Sequence, residues 1–64
     1  MIELHGLNGS KFYLNQDKIE KIEEIPETVI TLINDRKYLV KESVNEIQRK
    51  IINFKKNIYT GNLE

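Results

Sequence analysis

Apolar and polar residues alternate over residues 1–7, with Ile2 and Leu4 on one side and Glu3 and His5 on the other. A period of two predicts a strand with one buried face. Leu7 falls out of phase with Ile2 and Leu4, and a bulge near Gly6 would restore the alternation. Asn8-Gly9 comes next, two residues that tolerate the positive φ of a type I′ hairpin turn. Residues 11–15 read as the return strand, with Phe12 and Leu14 facing one way and Lys11 and Tyr13 the other.

After a polar turn at residues 15–17 the pattern becomes ambiguous. Ile19, Ile22 and Ile25 recur every three residues among Glu20, Lys21, Glu23 and Glu24. One reading is a helical stripe two turns long, which is marginal without strong packing. The other is a turn through residues 16–18 and a strand from about Ile19, bulged near Lys21. The surrounding hairpins favour the strand, because sequential strands usually pair. Pro26-Glu27 marks a turn and keeps this stretch from being a central strand. Residues 28–33, Thr-Val-Ile-Thr-Leu-Ile, are β-branched or apolar throughout and predict a central strand or one covered on both faces. Asn34-Asp35 offers a second tight turn, in which Asp35 tolerates positive φ less well than glycine. Residues 37–41 return, with Tyr38 and Val40 opposite Lys37, Leu39 and Lys41.

The period then changes. Ser43-Val44-Asn45-Glu46 fits a capping box, the serine hydroxyl accepting from the Glu46 amide and the glutamate from the serine amide. Val44, Ile47, Ile51, Phe54 and Ile58 follow at spacings of three and four, with Ile52 beside them, and form the apolar stripe of a helix. Gln48, Arg49, Lys50, Asn53, Lys55 and Lys56 dress the rest, and the last two lysines complement the negative end of the helix dipole. Residues 59–64 carry Gly61 and no periodicity, and are expected to fray. The predicted fold is α+β: a small antiparallel β-meander of four to five strands with one C-terminal α-helix packed on the sheet. It forms a single domain over residues 1–58.

At 64 residues the chain has room for one domain with a thin core, and it contains no cysteine to staple that core. Tight packing or self-association, that is, a homo-oligomer, would supply the missing stability. No apolar run is long enough to span a bilayer, and the first residues lack the basic and apolar regions of a signal peptide, so a cytoplasmic, non-transmembrane protein is expected. Ten acidic residues balance ten basic ones, which weighs against a dedicated nucleic-acid binder.

The candidate chemistry is sparse. His5 has no cysteine or second histidine beside it and reads as a half-exposed strand residue rather than an acid or base. Glu20, Glu23, Glu24 and Glu27 lack the glycine-containing ligand loop of a calcium site and read as a solvated edge that discourages aggregation. No serine or threonine lies in a nucleophile motif, and Asn8-Gly9-Ser10 is too short for a phosphate-binding loop. Phe12, Tyr13 and Tyr38 read as core or cross-strand packing rather than base-stacking platforms. No catalytic, metal-binding or cofactor-binding residues are therefore assigned, no small-molecule substrate is expected, and the chain reads as a non-enzyme.

One departure from the average is the distribution of charge. Residues 1–35 hold seven acids and three bases, and residues 36–64 hold three acids and seven bases. The ordinary reading is helix dressing with dipole complementarity. The functional reading is a basic helix face, Arg49, Lys50, Lys55 and Lys56, that docks an acidic partner or a membrane surface.

Taken in order, Leu7-Asn8-Gly9, Phe12, Leu14-Asn15, Ile19-Glu20, Ile22-Glu23, Pro26-Glu27-Thr28, Ile30-Thr31-Leu32, Lys37-Tyr38, Val40 and Lys41-Glu42-Ser43 form a more specific pattern. From Ile2 to about Phe54 the chain resembles the FlbD family of small bacterial flagellar proteins, also called the SwrD family of swarming motility proteins. It departs from the family's usual Asn-Gly in the second turn, where it has Asn34-Asp35. The resemblance implies a non-enzymatic cytoplasmic protein needed for full motility or motor power. Its partner would be a protein, with flagellar motor components at the inner membrane face the first candidates. The alternative function is a small RNA-binding post-transcriptional regulator, since β-rich surfaces carrying Arg and Lys can read RNA loops.

Overall fold

A computed structural model describes residues 1–56. Five strands and one helix follow in the order β1 (Ile2–His5), β2 (Lys11–Leu14), β3 (Ile19–Glu24), β4 (Thr28–Leu32), β5 (Lys37–Val40) and α1 (Val44–Lys56), with a short 3-10 turn at Gln16–Lys18. All pairings are antiparallel, and the strands form a two-stranded sheet β1-β2 and a three-stranded sheet β3-β4-β5. An isolated bridge between Gly6 and Val40, next to a bond from the Lys41 amide to the His5 carbonyl (2.8 Å), joins the two sheets at a corner. This is the expected α+β meander with its helix on the sheets. Residue 58 and the tail over 59–64 lie outside the described residues.

Residues 19–24 are a strand, and a bulge makes that possible. Ile19 pairs with Leu32, but Lys21 pairs with Thr31, so Glu20 is the extra residue. Without it, Ile19 and Ile22 would point to opposite faces; with it, both pack against the core. The three-residue period that mimics a helix is thus an alternating strand with one residue inserted. Ile25 lies past the end of this strand and is exposed. Pro26 also falls outside the strands, and β3 is an edge strand, as the proline requires.

The two hairpins are closed by the same device, and it is not the expected two-residue turn. In the first, Gly6 N donates to Ser10 O (2.9 Å), Gly9 N donates to Gly6 O (2.9 Å), and Ser10 N donates to Asn8 Oδ1 (3.0 Å). In the second, Leu32 N donates to Arg36 O (2.8 Å), Asp35 N donates to Leu32 O (2.9 Å), and Arg36 N donates to Asn34 Oδ1 (3.1 Å). Each is a three-residue loop whose middle asparagine braces the return strand and whose last residue is left-handed, Gly9 at φ 89° and Asp35 at φ 70°. The apolar first residues, Leu7 and Ile33, are carried outward and exposed. No bulge is needed at Gly6: Leu7 is out of phase because the strand has already ended. A side chain at Gly6 would press on the bracing groups, within 3.2 Å of Asn8 Oδ1 and 3.3 Å of Ser10 Oγ. Ile33 therefore lies outside β4, and Asn15 lies outside β2, where it caps the 3-10 turn by accepting from Asp17 N (3.0 Å).

The core is Ile2, Leu4, Leu14, Ile30, Leu32, Val40 and Ile47, with Phe12, Ile19, Ile22, Tyr38, Ile51 and Phe54 packed around it. Ile22, Ile30 and Tyr38 form one cross-strand row, and the Tyr38 ring meets Phe12 of the other sheet at 5.5 Å between centroids. Tyr13, by contrast, faces solvent. β4 is central, as its composition predicts, and its outward-facing Thr31 is buried with Lys37 Nζ donating to its hydroxyl at 3.4 Å.

Because Asp35 occupies a left-handed position that glycine adopts at no steric cost, Asp35→Gly should stabilise the fold by up to about 1 kcal/mol. Gly9→Ala, at the equivalent position of the first hairpin, should cost a similar amount. Urea denaturation of both variants checks the pair.

Candidate functional site

The C-terminal helix is the element on which the candidate contact residues lie, and its placement is tightly determined. Glu46 N donates to Ser43 Oγ (3.2 Å) and Ser43 N to Glu46 Oε1 (3.0 Å), the reciprocal bonds of the capping box. A further bond comes from outside the helix: Val44 N donates to Glu24 Oε1 at 3.1 Å. The last residue of β3 thus ties the helix N-terminus to the three-stranded sheet, and its negative charge suits the positive end of the helix. Ile47 is fully buried, Ile51 and Phe54 continue its face along the core, and Val44 is half-buried at the start of the stripe. Ile52, placed beside the stripe by the sequence pattern, instead stands exposed on the outer side.

The four cations occupy different sectors of this helix. At about 100° per residue, Arg49 and Lys56 lie nearly in line on the outward side, with Ile52 close to that line. Lys50 is half-buried at one margin of the apolar stripe, and Lys55 flanks the other margin. Arg49 and Lys50 come together with Glu46 and Asn53 around a shallow depression of about 190 Å³. The surface that results is amphipathic: basic residues around an exposed isoleucine, with one acid among them.

The acidic residues of the first half are likewise divided. Glu24 is engaged by the helix amide, and Glu23 lies 3.8 Å from Lys21. Among the described residues no group of three or more His, Cys, Asp or Glu is arranged to hold a metal ion, and no helix is long and apolar enough to cross a membrane.

The most concentrated polar chemistry lies at the corner between the sheets. His5 Nδ1 and Glu42 Oε2 are 2.6 Å apart, and the His5 amide donates to Glu42 Oε1 at 3.0 Å. One carboxylate therefore receives both the ring and the backbone of one residue, so Nδ1 carries the proton in this contact. Glu42 is only 6% exposed, whereas the His5 side chain is 38% exposed, with Nε2 lying 3.7 Å from Glu3 Oε2. Burial works to raise the Glu42 carboxyl, but the hydrogen bonds from the His5 ring and amide outweigh it and hold the group below its ordinary value. Sequence reasoning places His5 correctly as a half-exposed strand residue and misses its partner. A signal was present: continuing the alternation of β5 through Val40 and Lys41 turns Glu42 inward, an unusual phase for a charge.

Since the folded state holds Glu42 more acidic than the unfolded chain does, its contribution is complete above the ordinary carboxylate range and is lost as pH falls through the folded value. Glu42→Gln should therefore cost about 1.5–3 kcal/mol at neutral pH, the range for a hydrogen bond to a charged group. The difference from wild type should shrink as the solution is acidified. Denaturation at neutral and acid pH measures both.

The family model for FlbD, described as flagellar and swarming motility proteins, matches residues 1–59 of the chain. No curated protein and no solved structure matches it.

Proposed function

The chain belongs to the FlbD family of flagellar and swarming motility proteins, and from that premise we propose that it is a non-enzymatic accessory protein that supports flagellar motor power through protein–protein contacts. The observation that carries this reading is the family match, which runs through both hairpins and the whole of α1. The partners in this reading are flagellar motor components at the cytoplasmic face of the inner membrane.

The contact surface we assign is the exposed surface of α1, with Arg49 and Lys56 on its outer side and Lys50 and Lys55 at its margins supplying charge. Two features support the choice. The helix is anchored at its N-terminus by Ser43 and Glu24, so its surface is presented by a rigid element. It also sets an exposed apolar residue, Ile52, among the cations. A desolvated apolar centre ringed by charge is the pattern of a docking surface, the charges steering the encounter and the apolar group holding it. A contact made only by charge would lose most of its strength at physiological salt.

The test is a charge reversal of Arg49, Lys50, Lys55 and Lys56 to glutamate in a motile bacterium that carries this chain as its only copy. The expected result is a variant with unchanged circular dichroism that swims with reduced torque in a tethered-cell assay. Undiminished torque would exclude the helix surface. Salt-sensitive retention of cellular RNA by the purified chain would replace the reading with a nucleic-acid one. Separately, Ser43→Ala should cost about 0.5–2 kcal/mol of stability by removing the cap that presents the helix. Thermal denaturation would show it.

A further inference from the structure

The strands run in the spatial order β2-β1-β5-β4-β3, so β2 and β3 are the two ends, and they are built differently. β3 carries Glu20, Lys21, Glu23 and Glu24, is interrupted by its bulge and is followed by Pro26, all devices that prevent edge-to-edge pairing. β2 carries a single charge, Lys11, and has neither a bulge nor a following proline. Its residues are Lys11-Phe12-Tyr13-Leu14, an unbulged run that pairs residue for residue with β1 and, among the described residues, has no strand on its other side.

The register shows which backbone groups that open edge presents. The Gly6–Ser10 bond closes the hairpin, so hydrogen-bonded pairs alternate from there, through Leu4–Phe12 to Ile2–Leu14. The amides and carbonyls of Phe12 and Leu14 are directed at β1. Those of Lys11 and Tyr13 point away from it, to the open side.

We infer that the β2 edge is a self-association surface, joining two copies of this chain by antiparallel β2–β2 pairing centred on Phe12. The core sides of the two sheets must coincide, so inward residues must meet inward residues across the junction. Centring on Phe12 does this, and it sets Lys11 opposite Tyr13 of the second copy, and Tyr13 opposite its Lys11. Each such pair exchanges its outward N–H and C=O groups. Centring on Tyr13 would instead require Asn15, whose carbonyl accepts from Lys18 N (3.0 Å) and whose side chain caps the 3-10 turn.

Charge complementarity favours a second copy as the occupant. Within one chain Glu3 lies opposite Tyr13, and His5 lies opposite Lys11. Across the junction the outward row therefore reads Glu3, Tyr13, then Lys11 and His5 of the second copy. The lysine of the second copy is set beside the exposed Tyr13 ring, with Glu3 one strand further on, and the two-fold axis repeats the arrangement. No like charges face each other. The inference uses a different element from the helix surface and does not depend on the motility reading.

The test uses the full chain, by light scattering and NMR hydrogen exchange, from dilute solution to the highest soluble concentration. The expected result is a monomer–dimer equilibrium in which the Lys11 and Tyr13 amides become protected as the dimer forms. Lys11→Glu should weaken association measurably by replacing the cation beside the Tyr13 ring of the second copy with a carboxylate, on the side where Glu3 of that copy lies one strand further on. Glu3→Lys should weaken it less, since residue 3 lies one strand further from the junction. Circular dichroism reports whether each variant folds, and the exchange measurement on wild type stands without them. A monomer at every concentration, or an oligomer in which the Lys11 and Tyr13 amides exchange freely, would overturn the inference.

Discussion

The corner at which β1 meets β5 holds two units together that could not stand separately. A two-stranded hairpin is marginal in water, and among the described residues β1-β2 has no third strand of its own. It is joined to the larger sheet by the Gly6–Val40 bridge, the Lys41–His5 backbone bond and the Glu42 carboxylate, which binds the ring and amide of His5. Glu42 does this from the short connection between β5 and α1. One buried charge therefore locks the hairpin in place at the point where the helix begins. A buried carboxylate is tolerated because it is hydrogen-bonded on both oxygens. Removing its partner would leave a desolvated charge rather than a gap.

The same economy recurs at the helix N-terminus. Glu24 at the end of β3 and Ser43 before α1 both satisfy amides that the helix itself cannot. With Glu42 beside them, three consecutive constraints bring β1, β3 and the helix into one arrangement, around Ile47 as the fully buried helical residue. Glu24, from the acid-rich first part of the chain, and Glu42, from the base-rich second part, are thus structural ligands of backbone amides. Of the seven bases in residues 36–64, four stand on α1.

That surface and the β2 edge are spatially distinct opportunities. One is a helix side with mixed charge and an exposed isoleucine; the other is an unpaired strand with a self-complementary outward row. A small domain with a thin core gains from covering such an edge, since the exposed backbone groups are then satisfied within a sheet. The guarded β3 edge at the opposite end from the less guarded β2 edge makes pairing at one end of the sheets specific rather than indiscriminate.

Local patterns determined most of the fold. Alternation located β1, β2 and β5, an unbroken β-branched and apolar run located β4, the capping box located the start of α1, and the ordered residues from Leu7 to Ser43 pointed to the family. These features are legible because each is written in neighbouring residues. The Arg49–Lys56 stretch was legible as basic, but its division between the outward side and the margins of the apolar stripe depends on how α1 seats against the sheets. The bulge was legible near Lys21, and strand pairing fixes the extra residue as Glu20, because Ile19 and Ile22 must both reach the core. Two further results were decided only in three dimensions: the hairpin loops have three residues because an asparagine braces each return strand, and Glu42 is buried because His5, 37 residues away, supplies its hydrogen bonds. Burial and long-range pairing are properties of what a residue meets, and no spacing along the chain records what that will be.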